Sequence, residues 1–199
     1  MNDASSILRA ILQPVLIAVI AGILLRGAVQ TYSIPSGSMS PTLQAGDHIL
    51  VTPYESLFHH TAPQRGDVIV FHSPFDHDES FVKRVVGLPG DEIELRDHEV
   101  RVNGRTLPEP WLRASGGNGL RPPEILPDGS YFVMGDARDN SVDSRTFGLI
   151  AREQVIGRAR LIFWSSGGEL AETANASVFA SASAPQPRLR SDRLMTLVR

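Results

Sequence analysis

The chain has 199 residues and no cysteine. That length allows one domain of ordinary size with its own core, and the missing thiols exclude a disulfide scaffold, cysteine catalysis and thiolate metal sites. A formal net charge of −3, with both signs interspersed, supplies no basic footprint for nucleic acid.

Residues 7–29 are apolar except for Arg9, Gln13 and Arg26, and residues 15–25 form an unbroken apolar run. About 16 residues separate the two arginines. That is short for a bilayer core of about 30 Å, yet both arginines can snorkel and extend the span to about 20 residues. The segment reads as one membrane helix, with residues 1–30 as an anchor and Pro14 near its start or kinking it. The competing reading is a cleaved secretory signal, but Ala28-Val29-Gln30 ends on a residue too large for its cleavage site. Arg9 and Arg26 lie on opposite sides of the span, so charge alone leaves its orientation open.

Beyond residue 31 the pattern changes to short apolar runs divided by Gly, Pro and Asp. Strands are expected over 48–52, 67–72, 81–86, 92–96, 99–102, 130–134 and 155–164, giving a mainly β, mostly antiparallel fold. Asn103-Gly104 signals a two-residue hairpin. Residues 115–123 read as a flexible connection, and the Ser, Ala and Gly composition after Trp164 as a loosely ordered loop or tail. Residues 188–199 alternate basic and apolar side chains, which suits a returning edge strand or contact with anionic lipid.

Lys83 lies in Ser80-Phe-Val-Lys-Arg-Val-Val-Gly-Leu-Pro-Gly90. In a strand, Phe81, Lys83 and Val85 share one face, and Val82, Arg84 and Val86 the other. Burial among apolar neighbours can lower a lysine pKa from about 10.4 towards neutrality, at about 4 kcal/mol for three units. The alternative is an edge strand that points Lys83 at solvent. Upstream, Ile34-Pro-Ser-Gly-Ser-Met-Ser-Pro-Thr-Leu43 offers Ser38 on a Gly-containing bend, although such clusters also form turns for conformational reasons alone. Gly37 would permit close approach by a substrate, and the Ser36 hydroxyl could join the Ser38 N–H in holding an oxyanion. Together Ser38 and Lys83 suggest a serine nucleophile with a lysine base.

A third constellation is Met134-Gly-Asp-Ala-Arg-Asp-Asn-Ser-Val-Asp-Ser-Arg-Thr-Phe-Gly148. Asp136, Asp139 and Asp143 would suit a polar turn or a calcium loop, but Arg138 and Arg145 compete for the carboxylates and argue against metal. His59, His60, His72 and His77 lack a spacing partner for a metal site or a Ser-His pair, so surface loop positions are expected for them.

These blocks, with Arg65-Gly-Asp-Val-Ile-Val-Phe71 and Lys83-Arg-Val-Val-Gly-Leu-Pro-Gly-Asp91, stand in the order found in bacterial type I signal peptidases, and the chain resembles that family over most of residues 7–164. The resemblance implies a membrane-anchored Ser-Lys endopeptidase with an antiparallel β catalytic domain, shared with self-cleaving repressors. It spans residues 31–166, with an accessory subdomain around 92–130 that is reduced, followed by the Ala/Ser-rich loop and basic segment of 167–199. Ser38 is then the nucleophile and Lys83 the general base. Ser36 matches the side-chain oxyanion donor, Ser141 the hydroxyl that orients the lysine, and Asp143 and Arg145 a supporting ion pair. Ile34, Pro35, Val70 and Val82 match shallow pockets for small side chains before the cut, as in Ala-x-Ala.

The resemblance further implies exported precursor proteins as substrates and the lipid bilayer as a partner. The site would face outward from the cytoplasmic membrane, with no cofactor, metal or nucleic acid. Leu57, Phe58 and Trp111 are candidates for resting on lipid or for packing. One departure stands out: Ala137 occupies a position where the family usually has asparagine, which should alter local hydrogen bonding and leave activity intact. A conjugative-transfer peptidase of the same mechanism, and an anchored β domain that binds exported peptides without cutting them, remain the alternatives.

Overall fold

Short runs rich in β-branched and aromatic residues, divided by Gly, Pro and Asp, fold as antiparallel β structure. The computed structural model describes residues 12–17, 29–56, 59–96, 99–112, 119–167 and 188–198. Its strands are β1 (Gln30–Ser33), β2 (Asp47–Pro53), β3 (Glu55–Ser56), β4 (His59–His60), β5 (Val68–His72), β6 (Ser80–Gly87), β7 (Glu92–Arg96), β8 (Glu99–Val102), β9 (Arg105–Thr106), β10 (Arg121–Ile125), β11 (Ser130–Met134), β12 (Ile150–Ala151), β13 (Val155–Gly167), β14 (Arg188–Leu189) and β15 (Thr196–Leu197). The main sheet runs β1-β2-β13-β5-β6-β11-β12, and β14 and β15 also pair with β13. A smaller sheet runs β10-β7-β8-β9. Every described pairing is antiparallel.

The expected strands form, several with the same ends, because period-2 alternation and turn residues bound them on both sides. Asn103 (φ 52°) and Gly104 (φ 74°) both take positive φ, as the tight turn between β8 and β9 requires. The stretch 115–123 needs correcting, since Arg121–Ile125 is a strand that pairs with β7. Pro122 and Pro123 are compatible with it because β10 lies at the sheet edge, where a missing donor breaks no ladder bond. The C-terminal segment does return as an edge: β14 meets Ser166 and Gly167, and β15 meets Leu161 and Ile162.

Among the described residues, three apolar clusters hold the sheets together. The one that matters for position joins Ile34, Met39 and Leu43 of the loop between β1 and β2 to Ile49, Val51, Val70, Ile162 and Val198. Burying side chains of this size contributes about 1.5–3 kcal/mol each, so the loop is held against the sheet by its own apolar residues. Residues 12–17 are helical. The expected anchor otherwise lies outside the described residues except at its end, where Gln30 begins β1; Leu57 and Phe58 also lie outside them, and among the described residues no helix is long and apolar enough to cross a membrane.

Candidate active site

The loop between β1 and β2 carries Ser38 between the buried Met39 and the more open Ser36 and Gly37. Its ends are tied by Ile34 N–H to the Asp47 carbonyl at 2.8 Å and Gly46 N–H to the Ile34 carbonyl at 2.9 Å. Lys83 arrives from β6, paired opposite Ile69 of β5. Its Nζ lies 2.8 Å from Ser38 Oγ. The two side chains that are 45 positions apart in sequence thus meet at hydrogen-bond distance, lining a cleft of about 580 Å³ together with Ile34, Pro35, Phe81 and Val82.

Lys83 is only 5% exposed. Burial lowers its pKa to about 8; Asp143 and Asp136 oppose the shift and Arg145 assists it. The Phe81 ring lies 5.6 Å from Nζ. At neutral pH about a tenth of such lysines are unprotonated, and in that form the contact reverses, with Ser38 O–H donating to Nζ. Ser36 Oγ donates to Ser38 Oγ at 3.4 Å, a long contact that leaves the Ser36 hydroxyl free to turn towards a ligand.

Asp143 organises the loop beside the lysine. It accepts from Arg145 Nε and Nη2, both at 2.8 Å, and from Gly135 N–H at 3.0 Å, and it caps the short helix Ser144–Phe147. Burial alone would raise its pKa, but Arg145 and the Gly135 N–H outweigh it and hold the carboxyl below the usual range. The Asp143–Arg145 pair expected from the resemblance therefore forms. Ser141 is brought to the same cleft with its hydroxyl buried; it lies against Asp143, which it helps to hold ionised, and is not bonded to Lys83. Ala137 N–H donates to the Ser38 carbonyl at 3.0 Å; this backbone tie needs no side chain, so alanine can serve there.

Of the expected pocket residues, Ile34, Pro35 and Val82 line the cleft. Val70 does not: it is 0% exposed and packs beneath, opposite Val82 across the β5–β6 ladder, leaving no surface to receive a side chain. Trp111 lies 4.4 Å from the Arg84 guanidinium, which makes it a packing residue.

Two residues near the site escaped the sequence reading. Arg84, the neighbour of Lys83, is 1% exposed and grips Asp136 with Nε at 2.8 Å and Nη2 at 2.7 Å. Thr42 Oγ1 donates to the same carboxylate at 2.5 Å, which couples the Ser38 loop to the 135–145 loop. Gly135 is the other, because a Cβ there would lie 2.2 Å from Ser141 Oγ and 2.6 Å from the Ser38 carbonyl oxygen. Arg84 was visible as a charge inside an apolar strand; Gly135 had no signal beyond its being glycine.

The model of the family described as signal peptidase, peptidase S26, matches residues 7–164. The chain belongs to this family. Signal peptidase I of Leptolyngbya laminosa is 40% identical over 139 residues, covering 66% of each chain. Signal peptidase I of Bacillus licheniformis is 34% identical over 167 residues, covering 75% of this chain and 85% of that one. A crystal structure of a signal peptidase I from Enterococcus faecalis V583 is similar at 33% identity and a TM-score of 0.40, covering 49% of this chain and 97% of that one. The chain spans 61% and 66% of the length of the two relatives it matches at 40% identity.

Proposed function

We propose that this chain is a membrane-bound serine endopeptidase that removes N-terminal signal peptides from exported precursor proteins, cutting after small residues of the Ala-x-Ala type. The observation that carries the reading is the 2.8 Å contact between Ser38 Oγ and a buried Lys83 whose pKa is lowered to about 8. Neutral Lys83 takes the Ser38 proton as Oγ attacks the scissile carbonyl carbon. The Ser38 N–H and the Ser36 hydroxyl hold the oxyanion, and the Lys83 ammonium then protonates the leaving amine as the C–N bond breaks. Water, deprotonated by Lys83, attacks the acyl carbon, and the Lys83 ammonium returns the proton to Ser38 Oγ as the ester C–O bond breaks, which regenerates the serine.

Substrate placement follows from strand edges. β6 meets β11 only through Arg84, Val85 and Gly87, so among the described residues Ser80–Lys83 keep an edge that β11 does not cover. An extended precursor can add to that edge, its backbone supplying affinity and alternate side chains entering the cleft. Ile34, Pro35 and Val82, which line that cleft, are the apolar walls against which small side chains would rest. The apolar segment at 7–29 would hold the site near the outer face of the cytoplasmic membrane, where precursors with apolar leaders emerge.

The test is cleavage of an exported precursor by the full chain in lipid vesicles. Ser38→Ala and Lys83→Ala should each abolish turnover while near-UV circular dichroism stays native. Full turnover by either variant overturns the reading.

A further inference from the structure

The family match ends at residue 164, yet the chain beyond it returns to the nucleophile loop. Arg193 Nη2 donates to the Thr42 carbonyl at 2.9 Å and to Asp47 Oδ2 at 2.6 Å, and its Nε reaches Asp47 Oδ1 at 3.1 Å. Arg190 Nη1 donates to Gln44 Oε1 at 2.9 Å. Val198, 8% exposed, packs in the cluster that contains Ile34 and Met39, and its N–H is bonded to the Arg160 carbonyl. Three contacts of different chemistry therefore converge on residues 34–47 from one short segment.

We infer that the C-terminal strap, residues 190–198, is a positioning element for catalysis, with Arg193 holding the Ser38 loop at its distance from Lys83. The inference rests on the Ser38–Lys83 reading above. The loop has two clamps. On one side, the Ala137 N–H holds the Ser38 carbonyl and Asp136 holds the Thr42 hydroxyl. On the other, Arg193 holds the Thr42 carbonyl and the Asp47 carboxylate. Thr42 is gripped from both sides, four residues from the nucleophile, so loosening either clamp gives the loop freedom to carry Ser38 away from Nζ.

Chemistry distinguishes this clamp from ordinary packing. Asp47 is 0% exposed, and its other donors are neutral, Ser165 Oγ at 2.6 Å and the Gln44 N–H at 2.8 Å. Arg193 supplies the only cation among its described partners. A planar guanidinium reaches the carboxylate and the carbonyl together, whereas an ammonium meets such a pair as a point charge. Arginine is thus suited to fixing the loop in orientation as well as in place.

The experiment compares Arg193→Ala, Arg193→Lys and Arg190→Ala in the full chain with wild type and with Ser38→Ala. Precursor cleavage is measured as kcat and KM per folded molecule, folded fraction being set by near-UV circular dichroism. Arg193→Ala should lower kcat about tenfold or more with KM changed less than threefold, Arg193→Lys should recover part of the loss, and Arg190→Ala should have a smaller effect in the same direction. If Arg193→Ala does not fold, Arg193→Lys decides by the same split. Unchanged kcat per folded molecule in the variant that decides overturns the positioning role and leaves the Ser38–Lys83 reading standing. Turnover by Ser38→Ala, or none by wild type, overturns the reading on which it rests.

Discussion

Lys83 and Arg84 are neighbours on one strand, both buried cations, and the two faces of β6 treat them oppositely. On one face Arg84 meets Asp136, the Thr42 hydroxyl and the Gly66 carbonyl, so its charge is matched at almost every N–H. On the other, Lys83 has the Ser38 hydroxyl and the Phe81 ring, with Asp143 committed to Arg145. A buried cation with a full set of acceptors stays charged and fastens the fold. One denied them is pushed towards its neutral form, in which it can accept a proton.

The sharpest way to break this contrast is to remove the partner on the paired face. Asp136→Ala strands the Arg84 charge in the interior and should cost about 3–5 kcal/mol in denaturant unfolding. Lys83→Met, by contrast, should leave stability unchanged or raise it while abolishing cleavage. A large loss of stability from Lys83→Met would show that the lysine is a structural cation like its neighbour.

The pH dependence separates the two faces at a smaller scale. In the proposed reaction Lys83 acts in its neutral form, so the rate of cleavage should rise with pH through a midpoint near 8. Stability follows the same group. The folded pKa of about 8 lies below the ordinary 10.5, so between those values the unfolded chain binds more protons and stability increases with pH, by about 3 kcal/mol in all. Below about 8 the full penalty of the buried charge applies. Unfolding free energies of wild type and Lys83→Met across pH 7 to 11 should show this slope in wild type alone.

Gly135→Ala tests how closely the loop beside the lysine must approach Ser38. The added methyl would meet the Ser38 carbonyl and the Ser141 hydroxyl, and a forced backbone shift should cost about 1–3 kcal/mol, with a matching drop in cleavage. Ser141→Ala should have the smallest effect on stability. It removes a buried hydroxyl whose contact with Asp143 is the smallest of those that hold that carboxylate, so thermal unfolding should change by no more than about 1 kcal/mol. A larger loss would mean that the hydroxyl has a stronger partner in solution.

Legibility in the sequence tracked how local each cause was. β7, β8 and β11 were readable to their ends because alternation and turn residues bound them. β1, β10 and β12 were not, since Gln30–Ser33 is largely exposed, Arg121–Ile125 contains two prolines and Ile150–Ala151 is two residues long. These are strands only because a neighbour offers an edge. At the site, Ser38 and Lys83 stood out as a serine on a bend and a lysine in an apolar run, while Val70 and Val82 looked alike and only Val82 reaches the cleft.

The residue order by itself determined the antiparallel β class, the turn at Asn103-Gly104, the family and the Ser38, Lys83 and Asp143 candidates, because each depends on chemistry or periodicity within a few positions. Only the tertiary structure decided that Lys83 is buried against Ser38, that Arg84 is locked to Asp136 and that Arg193 returns to the loop that carries Ser38. Those facts depend on which groups meet across long stretches of chain. In a low-dielectric interior, the neighbours a charge meets determine whether it remains a charge.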